Sequence, residues 1–126
     1  MIEVTTPLVA VVGYKRSKLA PMGGQRVLVV RDGFLRILGK QGRIDLDVPV
    51  QQATARLTVT RTVELRANKS SAIVYGFSQL SAVPRELQQL AHDQSLGAEF
   101  IGLTATGAKT SRVLVEGLHR RGVAQG

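Results

Sequence analysis

Between residues 25 and 38 the chain reads QRVLVVRDGFLRIL. Two apolar, β-rich runs, Val27–Val30 and Phe34–Leu38, meet at Asp32-Gly33. A two-residue connection of type I′ needs positive φ at both central positions, which Gly adopts freely and Asp tolerates. The stretch therefore predicts a β-hairpin, and similar patterning recurs as far as about Phe77.

Pro7–Tyr14 is apolar and β-branched and predicts a first strand. Lys15–Gly24 carries Pro21 and Gly23-Gly24 among basic residues and predicts a mobile loop. After the hairpin, Gly39-Lys40-Gln41-Gly42 turns the chain into Arg43–Val50. There Ile44, Leu46, Val48 and Val50 alternate with Arg43, Asp45 and Asp47, the period of a half-buried strand. Pro49 sets the end of that strand at an edge or a bulge. Ala53–Thr60, Thr62–Ala67 and Ala72–Phe77 continue the series, making about seven strands.

The pattern then changes. Ser81–Glu86 is a helix entry, with Pro84 in the first turn and Glu86 near the positive end of the dipole. Leu87, Leu90 and Ala91 form an apolar stripe, and Gly97 is a natural stop, so a helix is predicted near residues 83–95. Glu99–Thr104 predicts a further strand. Ser111–Arg121 fits a second helix with Thr110 as N-cap and Gly122 as stop, although Val113-Leu114-Val115 also suits a strand. Gly117 would cost such a helix about 1 kcal/mol against Ala.

The expected fold class is therefore mainly β with C-terminal helices: a seven-stranded antiparallel barrel capped by one helix at residues 1–96. Residues 97–126 are expected as a strand-and-helix appendage on the outside of the same domain. Leu28, Val30, Leu35, Ile37, Ile44, Leu46, Leu57, Val59, Val63, Leu65, Val74, Phe77, Leu87 and Leu90 are the expected core.

The order of seven short strands and one helix resembles the pleckstrin-homology superfold, including its bacterial and GRAM-type relatives. Gln25–Leu38 is similar to the family's second and third strands, and Val74–Leu90 to its last strand and the passage into the capping helix. The resemblance covers residues 4–95. It implies a non-catalytic binding or adaptor module. The family's lipid binders carry basic residues in the first loop and at the start of the second strand. Lys15, Arg16, Lys18 and Arg26 match these places, but Gly24 stands where the lipid-binding pattern has another cation, and the helix lacks the usual Trp. A protein or peptide partner is the expectation that follows, with self-association open.

Seventeen basic against nine acidic side chains give a net charge of +8. That favours anionic partners and keeps nucleic acid and acidic membranes as alternatives. The charge is spread evenly along the chain. Most of the few rings sit inside apolar runs, which argues against a stacking platform for single strands. The absence of Cys excludes disulfides and thiolate metal sites. The N-terminal charges follow the apolar run, the reverse of a signal peptide, so a cytoplasmic location is expected.

No catalytic constellation emerges, and neither an enzyme, a cofactor nor a metal is expected. Gly102–Thr110 nearly spells a P-loop, but Ala108 separates the second Gly from Lys109, and a turn leading into a helix is the better reading. Asp45 and Asp47 are read as cross-strand partners of Arg43 and Arg56. His92 and His119 fit late helix positions. The candidate binding residues are Lys15, Arg16, Lys18 and Arg26.

Overall fold

The computed structural model describes residues 6–17, 24–67, 70–75, 83–101 and 107–126. Among these residues nine strands and two α-helices follow in order: β1 (Leu8–Lys15), β2 (Gln25–Arg31), β3 (Phe34–Leu38), β4 (Ile44–Pro49), β5 (Ala53–Leu57), β6 (Val63–Ala67), β7 (Ser70–Tyr75), α1 (Arg85–Gln94), β8 (Glu99–Ile101), α2 (Gly107–Arg120) and β9 (Ala124–Gln125). Seven strands and then a helix follow in sequence, as the pleckstrin-homology resemblance implies, and the seven are joined antiparallel in the order β4-β3-β2-β1-β7-β6-β5. The C-terminal segment lengthens this sheet. β9 adds parallel to β5, and β8 pairs parallel with the first half of β1.

The closed seven-stranded barrel is thereby corrected. The sheet has nine strands, and β4 and β9 stand at its two ends without meeting.

Both hairpin turns at the start of the sheet follow from local chemistry. Asp32 and Gly33 take φ of 54° and 81°, the paired positive values of a type I′ turn. Gln41 and Gly42 repeat the device between β3 and β4 at 57° and 74°, closed by the Arg43 amide on the Lys40 carbonyl at 3.0 Å.

β1 and β2 are buried on both faces, which explains why LVAVV and VLVV run apolar without alternation. Their inner side chains, Leu8, Ala10, Val12, Leu28 and Val30, join the main core with Leu35, Ile37, Val63, Leu65 and Val74. Their outer ones, Val9, Val11, Val27 and Val29, meet Val83, Leu87 and Ala91 of the α1 region.

The helices exchange their expected roles. α1 lies on the outer face of β1 and β2, while α2 sends Leu114, Val115 and Leu118 into the main core beside Leu8 and Ile101. The reason is apolar content. α1, RELQQLAHDQ, buries Leu87 and Ala91, whereas α2 offers VLVEGL to the larger core cluster. Residues 98–121 therefore do not simply pack on the outside. α2 starts at Gly107, so Thr110 lies within the helix and not at its cap. Gly122, at φ 97°, ends it as expected. The Val123 amide bonds the Leu118 carbonyl at 3.1 Å and Gly122 that of His119 at 3.3 Å, the paired bonds of a Schellman cap.

Other expected core positions are outside it. Ile44 is 58% exposed because the ladder slips between Ile37↔Leu46 and Leu38↔Ile44. The extra residue, Asp45, reverses the facing of everything before it. Val59 is wholly exposed and Leu57 is 38% exposed, since the alternating run ends in a turn where the Thr58 amide bonds the Thr62 carbonyl. Phe77 and the P-loop-like residues 102–106 lie outside the described residues.

Candidate functional site

The antiparallel register brings the β1–β2 connection and the β3–β4 turn to the same end of the sheet. An open cleft of about 440 Å³ lies there, lined by Gly24, Gln25, Arg26, Lys40, Gln41 and Arg43. Three of these six residues are cationic and none is acidic.

The cleft is built from the strand starts upward. The Tyr14 amide bonds the Gly24 carbonyl at 2.9 Å and brings the loop back to β2. Arg26 then leaves the second position of β2 and lays its guanidinium over the Tyr14 ring, 4.8 Å from the centroid. Its Nε donates to Asp45 Oδ2 at 2.6 Å and its Nη1 to the Gln25 carbonyl at 2.8 Å. Gly39 makes room for this side chain, since a Cβ there would stand 3.1 Å from Arg26 Cδ.

Asp45 binds a second cation. Its Oδ1 accepts from Arg43 Nε at 2.9 Å. The bulge that turns Ile44 outward thus also places this carboxylate between two arginines. Asp45 is 6% exposed and Arg26 12%, while Arg43 stays 58% exposed at the rim. Each oxygen of one nearly buried carboxylate fixes one guanidinium, so both arginines are held before any ligand arrives. The partners differ in part from those expected. Asp47 bonds Arg36 at 3.0 Å, and Arg56 bonds Glu64 at 2.9 Å.

Of the four candidate binding residues, Arg26 alone lines the cleft. Lys15 ends β1, half-buried and paired with Ile73, and Arg16 follows it, exposed at the same end of the sheet. Lys18 lies outside the described residues, as does most of the loop expected to be mobile. Sequence reasoning missed Lys40, Gln41 and Arg43, having taken them as a turn and a strand start. The signal was present in KQGR, cations on both sides of a Gly-centred turn.

Among the described residues, no group of three or more His, Asp or Glu side chains is placed to hold a metal ion. His119 Nε2 lies 2.9 Å from the Ala55 carbonyl. Burial raises the Tyr75 phenol above its ordinary pKa. No helix among the described residues is long and apolar enough to cross a membrane.

No family model and no curated protein matches the chain. Among solved structures it is similar to the crystal structure of the pleckstrin homology domain of ArhGAP27, at 13% identity and a TM-score of 0.43, covering 72% of this chain and 97% of that one.

Proposed function

We propose that the protein is a non-catalytic, cytoplasmic binding module whose partner presents an acidic peptide segment to the cleft at the β1–β2 and β3–β4 connections. The cleft lining carries the reading: Arg26, Lys40 and Arg43 converge there against the one carboxylate, Asp45, that fixes the two arginines, and none of the described lining residues is acidic. Lys15 and Arg16 lie at the same end of the sheet, and with Lys18, which is outside the described residues, they complete the proposed contact set with Arg26.

Two observations favour a peptide over nucleic acid or membrane. Tyr14, the ring at the cleft, is buried beneath Arg26, which leaves no stacking surface there. Of the large apolar side chains exposed among the described residues, only Ile44 adjoins the cleft lining in sequence. A bilayer would be met by charge with little insertion.

Fluorescence anisotropy with a labelled oligo-glutamate peptide tests the reading, with duplex DNA and phosphatidylserine vesicles as parallel arms. Lys40→Ala with Arg43→Ala should weaken peptide binding about tenfold, equivalent to about 1.4 kcal/mol. The triple change Lys15→Ala, Arg16→Ala, Lys18→Ala should lower affinity while leaving the melting temperature nearly unchanged, since exposed charges contribute little to folding. Preferential binding of DNA with a steep salt slope, or of vesicles, would replace the peptide reading by the corresponding alternative.

A further inference from the structure

Besides Asp45, which fixes the two arginines, a second carboxylate of the protein itself reaches the cleft lining. Glu86, in the first turn of α1, accepts a hydrogen bond from the Gln41 backbone amide at 2.5 Å. Gln41 lines the cleft, between Lys40 and the arginine-bearing start of β4. Its amide lies in the turn and outside the β3–β4 ladder, because the turn closes through the Arg43 and Gly39 amides instead. The hairpin therefore forms without Glu86, and the donor is left for a side chain or for water.

We propose that Glu86 is an internal stand-in for the ligand: its carboxylate holds the place at the Gln41 amide that a glutamate or aspartate of the partner takes on binding. This rests on the cleft being the acidic-peptide site. The tether is weak enough to be displaced. Glu86 is exposed and, among the described residues, forms no ion pair. When it swings away it remains in the first turn of α1, where the helix dipole favours its charge in either position. An incoming carboxylate takes the amide, and the rest of the partner's acidic segment then meets the cations that line the same cleft.

The competition lowers the apparent affinity of the resting protein by the fraction of molecules in which Glu86 has let go. Removing the competitor should restore that factor. The same oligo-glutamate peptide, titrated by anisotropy, should bind Glu86→Ala about threefold to tenfold more tightly than the unaltered protein. Glu86→Gln, which keeps an acceptor but loses the charge, should gain less. Asp93→Ala provides the control, since it removes one negative charge from the same helix at an exposed residue that accepts a hydrogen bond from Gln89. It should leave affinity nearly unchanged. The Gln41 amide resonance should move on peptide addition in all three variants.

Equal affinity of Glu86→Ala and the unaltered protein, weaker binding by Glu86→Ala, or an equal gain in Asp93→Ala would each overturn the stand-in while the cleft reading survives. Failure of the unaltered protein and of every variant to bind the peptide would bring down both.

Discussion

Arg121 is a charge turned inward. Its Nε donates to the Thr6 carbonyl at 2.8 Å, its Nη1 to the Gly117 carbonyl at 2.9 Å and its Nη2 to Glu99 Oε1 at 2.6 Å, so one guanidinium ties the chain before β1 to α2 and β8. Arg121→Ala strands carbonyl acceptors away from water and should lower stability by about 3 kcal/mol in urea unfolding. Arg120, half exposed and 3.7 Å from the same Glu99, should change it by less than about 0.5 kcal/mol when replaced by Ala. Tyr75 gives a pH test. Its phenol pKa is raised by burial, so its neutral form is favoured in the folded state and its contribution is complete below the ordinary tyrosine range. Stability should fall as pH rises through about 10, and Tyr75→Phe should reduce that alkaline loss in thermal melts. The same ring lies against Gly13, where an added Cβ would sit 2.1 Å from it. That close approach is a property of the fold, and nothing in the local run VVGYK announces it.

At the scale of elements, periodicity identified strands wherever one partner on each side continued the alternation. It failed at Ile44, because a bulge belongs to the pairing between two strands and is not written in either one. It also failed to rank the helices, although the comparison of RELQQLAHDQ with VLVEGL contained the answer. Leu118→Ala should cost about 3 kcal/mol, since the side chain is fully buried in the main core. Gly117→Ala should run the other way. A Cβ there meets Leu8 Cδ2 at 3.4 Å and Arg121 Nη1 at 3.5 Å, ordinary contacts, so the helical preference of Ala should raise stability by about 0.5–1 kcal/mol. Circular-dichroism melts of both variants check the pair. The candidate site was half legible for a related reason. Arg26 stood out at a strand start, whereas Lys40, Gln41 and Arg43 become a site only once the β3–β4 turn is brought beside it.

Across the whole molecule, both layers depend on β1. It hydrogen-bonds to β2, β7 and β8 and separates the main core from the α1 layer. Truncation after residue 101 would uncover Leu8 and Ile101 by removing Leu114, Val115, Leu118 and Val123 from their cluster. Such a chain should bind hydrophobic dyes and lose dispersed methyl signals in NMR, whereas a dispensable outer appendage would leave the spectrum of the sheet intact. There is also a consequence for how the protein is made. Leu8 and its neighbours leave the ribosome more than 100 residues before Val123, which belongs to the same cluster. At about 5–20 residues per second, the nascent chain carries LVAVV without its final cover for roughly 5–20 s. The interval between the synthesis of β1 and that of Val123 is therefore one in which this chain is open to holding chaperones and to aggregation.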